Sequence, residues 1–282
     1  MPNEPALVLS GAGSRGAYQA GCWKALHEAG VKPGLVVGTS AGAINAAMIV
    51  LETPPAEMER WWTKLRTKDL MRVRRDVWRW RGWLGFHDAA RLRRLLEGNI
   101  DFAALRKAPT PLLVTATDVE AGAEVEFKHT ELTPDHLLAS AALMPGLPPV
   151  RVAGRLHADG GHWNAFPLRH AVERGHRHIV ALLHDPWQPH PEPAPHGLVD
   201  LLRRASDVTW HSQQAHAMEA LQIRTRLVPE DPMHIEPFEL QVHAPEPPLS
   251  SLILRFDPED ARRLYALGYD QTRKRMGNAP NP

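Results

Sequence analysis

A serine with a glycine two positions away on either side, Gly38-Thr39-Ser40-Ala41-Gly42, follows the apolar run Leu35-Val36-Val37 and precedes the helical-looking stretch from Ala43 to Val50. This is the pattern of a nucleophile elbow. Such a turn from strand to helix lifts a hydroxyl clear of its neighbours, and the glycines remove Cβ atoms that would clash in the bend. The following helix also aims its first N–H groups near the hydroxyl, where negative charge develops during acyl transfer.

A second cluster, Gly11-Ala12-Gly13-Ser14-Arg15-Gly16, follows the apolar residues Ala6 to Ser10 and opens another helix. Two mechanisms compete for it. Read as G-x-G-x-x-G it is a dinucleotide-binding fingerprint, but the second strand ends in Val37-Gly38-Thr39-Ser40 without the carboxylate that a ribose requires. Read as a nest of backbone N–H groups, it is a binding place for an oxyanion. A third cluster, Asp159-Gly160-Gly161, is on its own an ordinary turn.

The elements that must position these residues are legible in outline. Ala6 to Ser10 and Leu35 to Val37 read as buried parallel strands, each followed by a helix, the first running from Ala17 to Ala29 with Gly30 at its C-cap. Repeated strand–helix units imply an α/β fold with a parallel sheet, in which the loops after the first two strands open on the same edge. Further strands are expected at Pro111 to Thr117 and Ile179 to Leu183, an edge strand at Val125 to Lys128, and a short hairpin over Arg151 to Leu156. Helices are expected at Pro134 to Ala142 and Leu198 to Leu221, with a polar helix near the end. The proline-rich stretches 185–195 and 229–248 read as loops or extended connections.

In that order and setting, the three clusters resemble those of the patatin-like phospholipase family: a Gly-rich oxyanion loop, a G-x-S-x-G serine, and a later D-G-[AG] aspartate. The flanks agree, with Ser140-Ala141-Ala142 and Pro145-Gly146 before the aspartate and Asn164 and Pro167 after it. The resemblance covers about residues 6–185. It implies a three-layer α/β fold, with a mostly parallel central sheet and helices on both faces. It implies a Ser40–Asp159 catalytic dyad that hydrolyses carboxylic esters of lipids, as a phospholipase A or lysophospholipase does. It also implies an oxyanion hole at Gly11, Ala12 and Gly13, with Ser14, Arg15, Gly16, Gly38, Thr39, Ala41, Gly42, Gly160 and Gly161 supporting the motifs. Ala12 stands where many members have glycine, which puts the geometry of that hole in question.

Rival readings stay open at this level. An α/β-hydrolase triad would pair Ser40 with a later carboxylate and histidine, and the sixteen histidines supply candidates in His162, His170, His176, His178, His184 and His211. Against it, the elbow follows only the second strand. From Arg60 to Trp83 nine Lys/Arg accompany Trp61, Trp62, Trp78, Trp80 and Trp83. That composition suits the membrane–water interface, and it equally suits a helix with buried tryptophans and a solvated basic face. A non-catalytic membrane-binding protein is thus a further alternative. The formal charge of +1 argues against a general nucleic-acid binder. Cys22 is the sole cysteine, no signal peptide is apparent, and no metal or cofactor is expected. The expectation is one domain over residues 1–275 with a flexible tail at 276–282, cytoplasmic, with peripheral contact at the membrane.

Overall fold

The computed structural model describes residues 4–73, 85–188, 190–249 and 252–278. Its core is a sheet of eight strands. Four of them, β1 (Ala6–Leu9), β2 (Leu35–Thr39), β5 (Leu112–Asp118) and β9 (His178–Leu182), run parallel with β10 (Glu239–His243) in the order β10-β9-β1-β2-β5. An edge strand, β6 (Ala123–Lys128), and a hairpin of β7 (Val150–Val152) and β8 (Arg155–Asp159) add antiparallel partners beyond β5. A separate two-stranded ribbon pairs β3 (Arg72–Val73) with β4 (His87–Asp88).

Continuous apolar runs form the central strands because both faces of a parallel sheet are covered. Along β1, Leu7 and Leu9 enter one hydrophobic core while Ala6 and Val8 enter a second. Helices α1 (Gly16–Glu28), α2 (Ala41–Val50) and α10 (Pro258–Asn278) pack on the first face, together with α3 (Pro55–Lys64), α5 (Ala90–Asn99) and α7 (Pro134–Ser140). The short α4 (Thr67–Leu70) and α6 (Phe102–Leu105) close gaps on that side. Helix α8 (Leu168–Val172) and the far end of α9 (Leu198–Arg224) cover the second face. Every residue of α2 is buried, so this helix is apolar all round except for Asn45, whose amide is fully bonded inside.

The fold is therefore the expected three-layer arrangement, with three differences in detail. The 229–248 stretch contains β10, a parallel edge strand set between its prolines. Helix α9 continues to Arg224, and α10 runs on to Asn278, past the expected boundary at 275; residues 279–282 of the expected tail lie outside the described residues. No helix among the described residues is long and apolar enough to cross a membrane.

Candidate active site

Ser40 closes β2 at φ 56° and ψ −127°, a backbone conformation that costs a side-chain-bearing residue on the order of 1–3 kcal/mol. Its surroundings hold it there. The Ser40 N–H donates to Ser140 Oγ at 2.8 Å, and Ser140 Oγ donates in turn to the Thr115 carbonyl at 2.7 Å. The Ser40 carbonyl accepts from the N–H groups of Ala43 and Ile44, so the first turn of α2 begins on the serine itself. A Cβ at Gly42 would lie 2.4 Å from the Ser10 carbonyl oxygen, which leaves room for no other residue. At Gly38 the same atom would meet the backbone of Ala43 at 2.7 Å.

Asp159 reaches Ser40 through sheet topology. On one edge of β5, Thr115 is in register with Thr39 of β2, and the next residue, Ala116, with Asp159 of β8. The other edge of the same stretch is occupied by β6. Strands β2 and β8 therefore share an edge and run head-on toward one another, so their C-terminal residues meet. Ser40 Oγ donates to Asp159 Oδ2 at 2.6 Å, and the Gly161 N–H donates to Asp159 Oδ1 at 2.8 Å. Thr39 Oγ1 and Thr115 Oγ1, 2.7 Å apart, tie the strands beneath the pair, where Gly160 leaves space for Thr115 and Thr39. Burial pushes the Asp159 carboxyl up to about 6, against the hydrogen bonds from Ser40 and Gly161 and the charge of His184.

The Gly-rich loop runs past the same point, and its three expected donors are not equivalent. The Gly11 N–H is already donated to the Ala165 carbonyl at 2.9 Å, which removes it from the expected oxyanion hole. The Ala12 and Gly13 N–H groups have no acceptor among the described residues, and both residues line a cavity shared with Ser40. Ala12 sits at φ −145°, open to any residue, while Gly13 takes the positive φ of 52°. The methyl group of Ala12 is thus no obstacle to the turn. Ile253 packs over Gly13, so the second glycine of the run faces a side chain where a dinucleotide pyrophosphate would have to approach. Ser14 fastens the loop through Oγ to the Leu252 carbonyl, 3.0 Å, and through N–H to the Ile253 carbonyl, 2.7 Å. The Gly16 carbonyl accepts from Asn45 Nδ2 at 2.9 Å. Arg15 is fully buried and paired with Asp185 at 2.5 Å and Asp207 at 3.2 Å, so it braces the loop from behind.

The cavity holds about 700 Å³ of space that continues into solvent. Ser40, Ala41, Gly161 and Asp159 contribute its polar end, and Ile44, Trp62, Met71, Leu143, Leu254 and Phe256 are among its apolar walls. Trp61 and Trp62 belong to these walls rather than to an outer surface: both are buried, and Trp62 Nε1 donates to Asn45 Oδ1 at 2.8 Å. Trp78, Trp80 and Trp83 lie outside the described residues. The hydrogen-bond partner of the serine side chain is a carboxylate, and the candidate histidines are placed elsewhere. His162 Nε2 accepts from the Met144 N–H, His170 is held between Glu124 and Glu126, and His176 and His178 sit at the opposite end of β9. His211 borders a separate pocket. His184 does stand between a serine and an aspartate, 3.1 Å from Ser10 Oγ and 3.0 Å from Asp185, but Ser10 is buried beneath the loop and neither it nor His184 lines the cavity. Among the described residues no group of three or more His, Cys, Asp or Glu is placed to hold a metal ion.

Four contributors were not visible as such in the sequence. Ser140 orients the serine backbone, and Asn45 and Gln19 knit α1 and α2 together behind the loop. Trp210, on α9, lines the cavity beside Gly161.

A serine at a strand-to-helix turn, bonded to an aspartate at the C-terminal edge of a mostly parallel sheet, defines the class of an α/β protein with a serine–aspartate site. Comparison with known proteins supplies the family. The family model described as Patatin-like phospholipase matches residues 7–172, and the chain belongs to that family. The human patatin-like phospholipase domain-containing protein 6 is 30% identical over 185 residues, covering 64% of this chain and 13% of that protein. Neuropathy target esterase sws of Drosophila melanogaster is 26% identical over 185 residues, with the same coverage. An uncharacterized NTE family protein of Mycobacterium tuberculosis is 29% identical over 167 residues, covering 58% of this chain and 44% of that one. The chain thus matches only a minor part of the length of these relatives. Among solved structures, human GIVD cytosolic phospholipase A2 aligns with a TM-score of 0.52 at 12% identity, covering 97% of this chain and 59% of that one. VipD from Legionella pneumophila aligns at 0.50 and 15% identity, covering 98% and 67%. These likenesses concern the fold.

Proposed function

We propose that this chain is a serine acyl hydrolase that cleaves carboxylic esters of lipids, in the manner of a phospholipase A or lysophospholipase, with Ser40 as nucleophile and Asp159 as base. The observation that carries the proposal is the 2.6 Å hydrogen bond from Ser40 Oγ to a buried carboxylate at the polar end of an apolar cavity. Family membership and the esterase and phospholipase names of the relatives support the same reading.

A serine hydroxyl is a weak nucleophile until a base takes its proton. Asp159 accepts that proton as Oγ bonds to the acyl carbon, and a carboxyl pushed up to about 6 is a better base than an ordinary one while still ionised at pH 7. The carbonyl oxygen becomes an oxyanion within reach of the Ala12 and Gly13 N–H groups. When the tetrahedral intermediate collapses, the ester C–O bond breaks and the proton passes from Asp159 to the departing alcohol. Water then attacks the acyl-enzyme while Asp159 takes its proton. Collapse of the second intermediate frees the fatty acid and returns the proton to Ser40. Among the described residues the cavity walls include one ionisable residue, Asp159, so they suit an acyl chain, and a charged headgroup belongs at the mouth.

The test is hydrolysis of a short p-nitrophenyl ester and of a phospholipid by the wild type, Ser40→Ala and Asp159→Asn. Both variants are expected to lose at least ~1,000-fold in kcat/KM. Retention of activity by Asp159→Asn, or its loss on replacing a histidine alone, would remove the dyad in favour of a triad.

A further inference from the structure

Helix α9 is built inside out along its first four turns. Among the described residues of that stretch, the charged ones are paired off the leucine side, with Arg203 and Asp207 largely buried: Arg203 pairs with Asp207 at 2.7 Å, with Glu192 at 2.5 Å and with Asp200 at 3.1 Å, and Asp207 also meets the buried Arg15. Leu198, Leu201, Leu202 and Val208 point the other way and are each more than half exposed. With Ala205, they follow the i, i+3, i+4, i+7 spacing of one helix face. The exposed positions of this stretch are completed by Thr209 and Ser212, so the face carries no charge. Leucines left in water opposite a satisfied ionic network mark a face meant to be covered.

We propose that this face of α9 docks on a lipid bilayer and feeds the cavity. The inference rests on the hydrolase reading for the identity of the lipid it delivers. Two observations select the bilayer over a second copy of the chain. The exposed side chains present roughly 400 Å² of apolar surface, about half of the ~800 Å² per partner that a stable dimer buries. The same helix also places Trp210 in the cavity wall beside Gly161, only ~8 Å along its axis from Ala205. Trp210 faces inward, on the other side of α9 from the leucines, so a bilayer against them lies about one helix diameter, ~10 Å, from the cavity wall. Because the nearby charges are spent on one another, docking depends on apolar insertion rather than on anionic headgroups.

The experiment uses the full chain carrying Ser40→Ala, sedimented with phosphatidylcholine vesicles, with and without Leu201→Asp and Leu202→Asp together. The paired change is expected to weaken vesicle binding roughly 30-fold, from the lost insertion of two leucines, with little effect of salt on the parent. Ala220→Asp, exposed on the far half of α9, is expected to bind as the parent does. In the chain that keeps Ser40, the paired change should leave hydrolysis of a water-soluble ester within two-fold while vesicle hydrolysis falls with binding. Equal binding by parent and paired variant overturns the proposal, as does equal weakening by Ala220→Asp. So does a parent that is dimeric in sedimentation and turns monomeric on the paired change. Vesicle binding is read without turnover, so a chain that docks as described but hydrolyses no ester refutes the hydrolase reading and leaves the docking face standing.

Discussion

The acid limb of the pH–rate profile is where the buried carboxylate should declare itself. Desolvation lifts Asp159 from an ordinary 3.8 to about 6, which makes its charged form about 3 kcal/mol harder to hold than in water. A base must be deprotonated to act. At pH 5 roughly one molecule in ten would carry the charged form, against more than nine in ten for an unshifted aspartate. The expected result is a fall in kcat/KM of about ten-fold between pH 7 and pH 5, with unit slope below pH 6. Initial rates on a short p-nitrophenyl ester, read where phenol and phenolate absorb equally, measure it. Unfolding is controlled separately, because the buried groups pull stability in opposite directions. The raised Asp159 pKa makes folded stability increase as pH falls through the window from 6 to 3.8. Asp185, buried but held down to about 2 by His184 and Arg15, contributes stability that is lost only as pH falls below 3.8. His243, held down to about 4 by burial and the charge of Arg275, costs stability as pH falls from 6.5 toward 4, so circular dichroism at each pH separates a titrating base from an unfolding chain. A flat profile from pH 5 to 8 refutes the reasoning, and so does a limb that vanishes on changing a histidine.

The remaining expectations concern the scaffold around the pair. Ser140→Ala removes one acceptor and one donor from a buried chain of hydrogen bonds, and should cost about 1–3 kcal/mol in denaturant unfolding while lowering kcat more than it raises KM. Gly13→Ala sets a Cβ 2.1 Å from the Ile253 side chain and 2.4 Å from its carbonyl oxygen, at a positive φ. It should lower kcat by ~100-fold or more with the protein still folded, as expected when oxyanion donors are displaced; unchanged kcat would detach the loop from catalysis. Arg15→Met leaves Asp185 and Asp207 buried without their shared cation and should cost about 3–5 kcal/mol, seen as a lower Tm. A milder loss is expected for Asp207→Asn, because Asp185 still holds the guanidinium.

What was legible in the sequence was local. Glycines two residues either side of Ser40 are a steric requirement of the turn, so the pattern announces the conformation that φ 56° then shows. Asp159 has no such local signature, since an Asp-Gly-Gly turn acquires meaning only when β8 seats on β5; it was the family resemblance that singled it out. Ser140, Asn45 and Trp210 act across long stretches of chain, and their residue types alone are unremarkable. At Trp61 and Trp62 composition left two readings open, and spacing decides between them. Arginine and tryptophan together suit an interface or a helix with buried tryptophans, and Met58, Trp61, Trp62 and Leu65, which fall at i, i+3, i+4 and i+7, are all buried as in the second. The same spacing in α9 marks leucines that face outward, because there the inner face is claimed by ion pairs. β10 was hidden by its flanking prolines, which bound a strand as readily as they bound a loop.

The head-on meeting of β2 and β8 on one edge of β5 has a consequence for biosynthesis. Ser40 and Asp159 lie 119 positions apart, and the hydroxyl acquires its base only after β5 has formed and the hairpin has docked. On the dyad reading, a nascent chain, a truncation short of residue 159 or a partly unfolded molecule carries the nucleophile without the base. Hydrolysis is thus conditional on a finished sheet, and the polypeptide stays harmless toward the lipids around it until then. The elbow supplies the reactive atom; closure of the hairpin arms it.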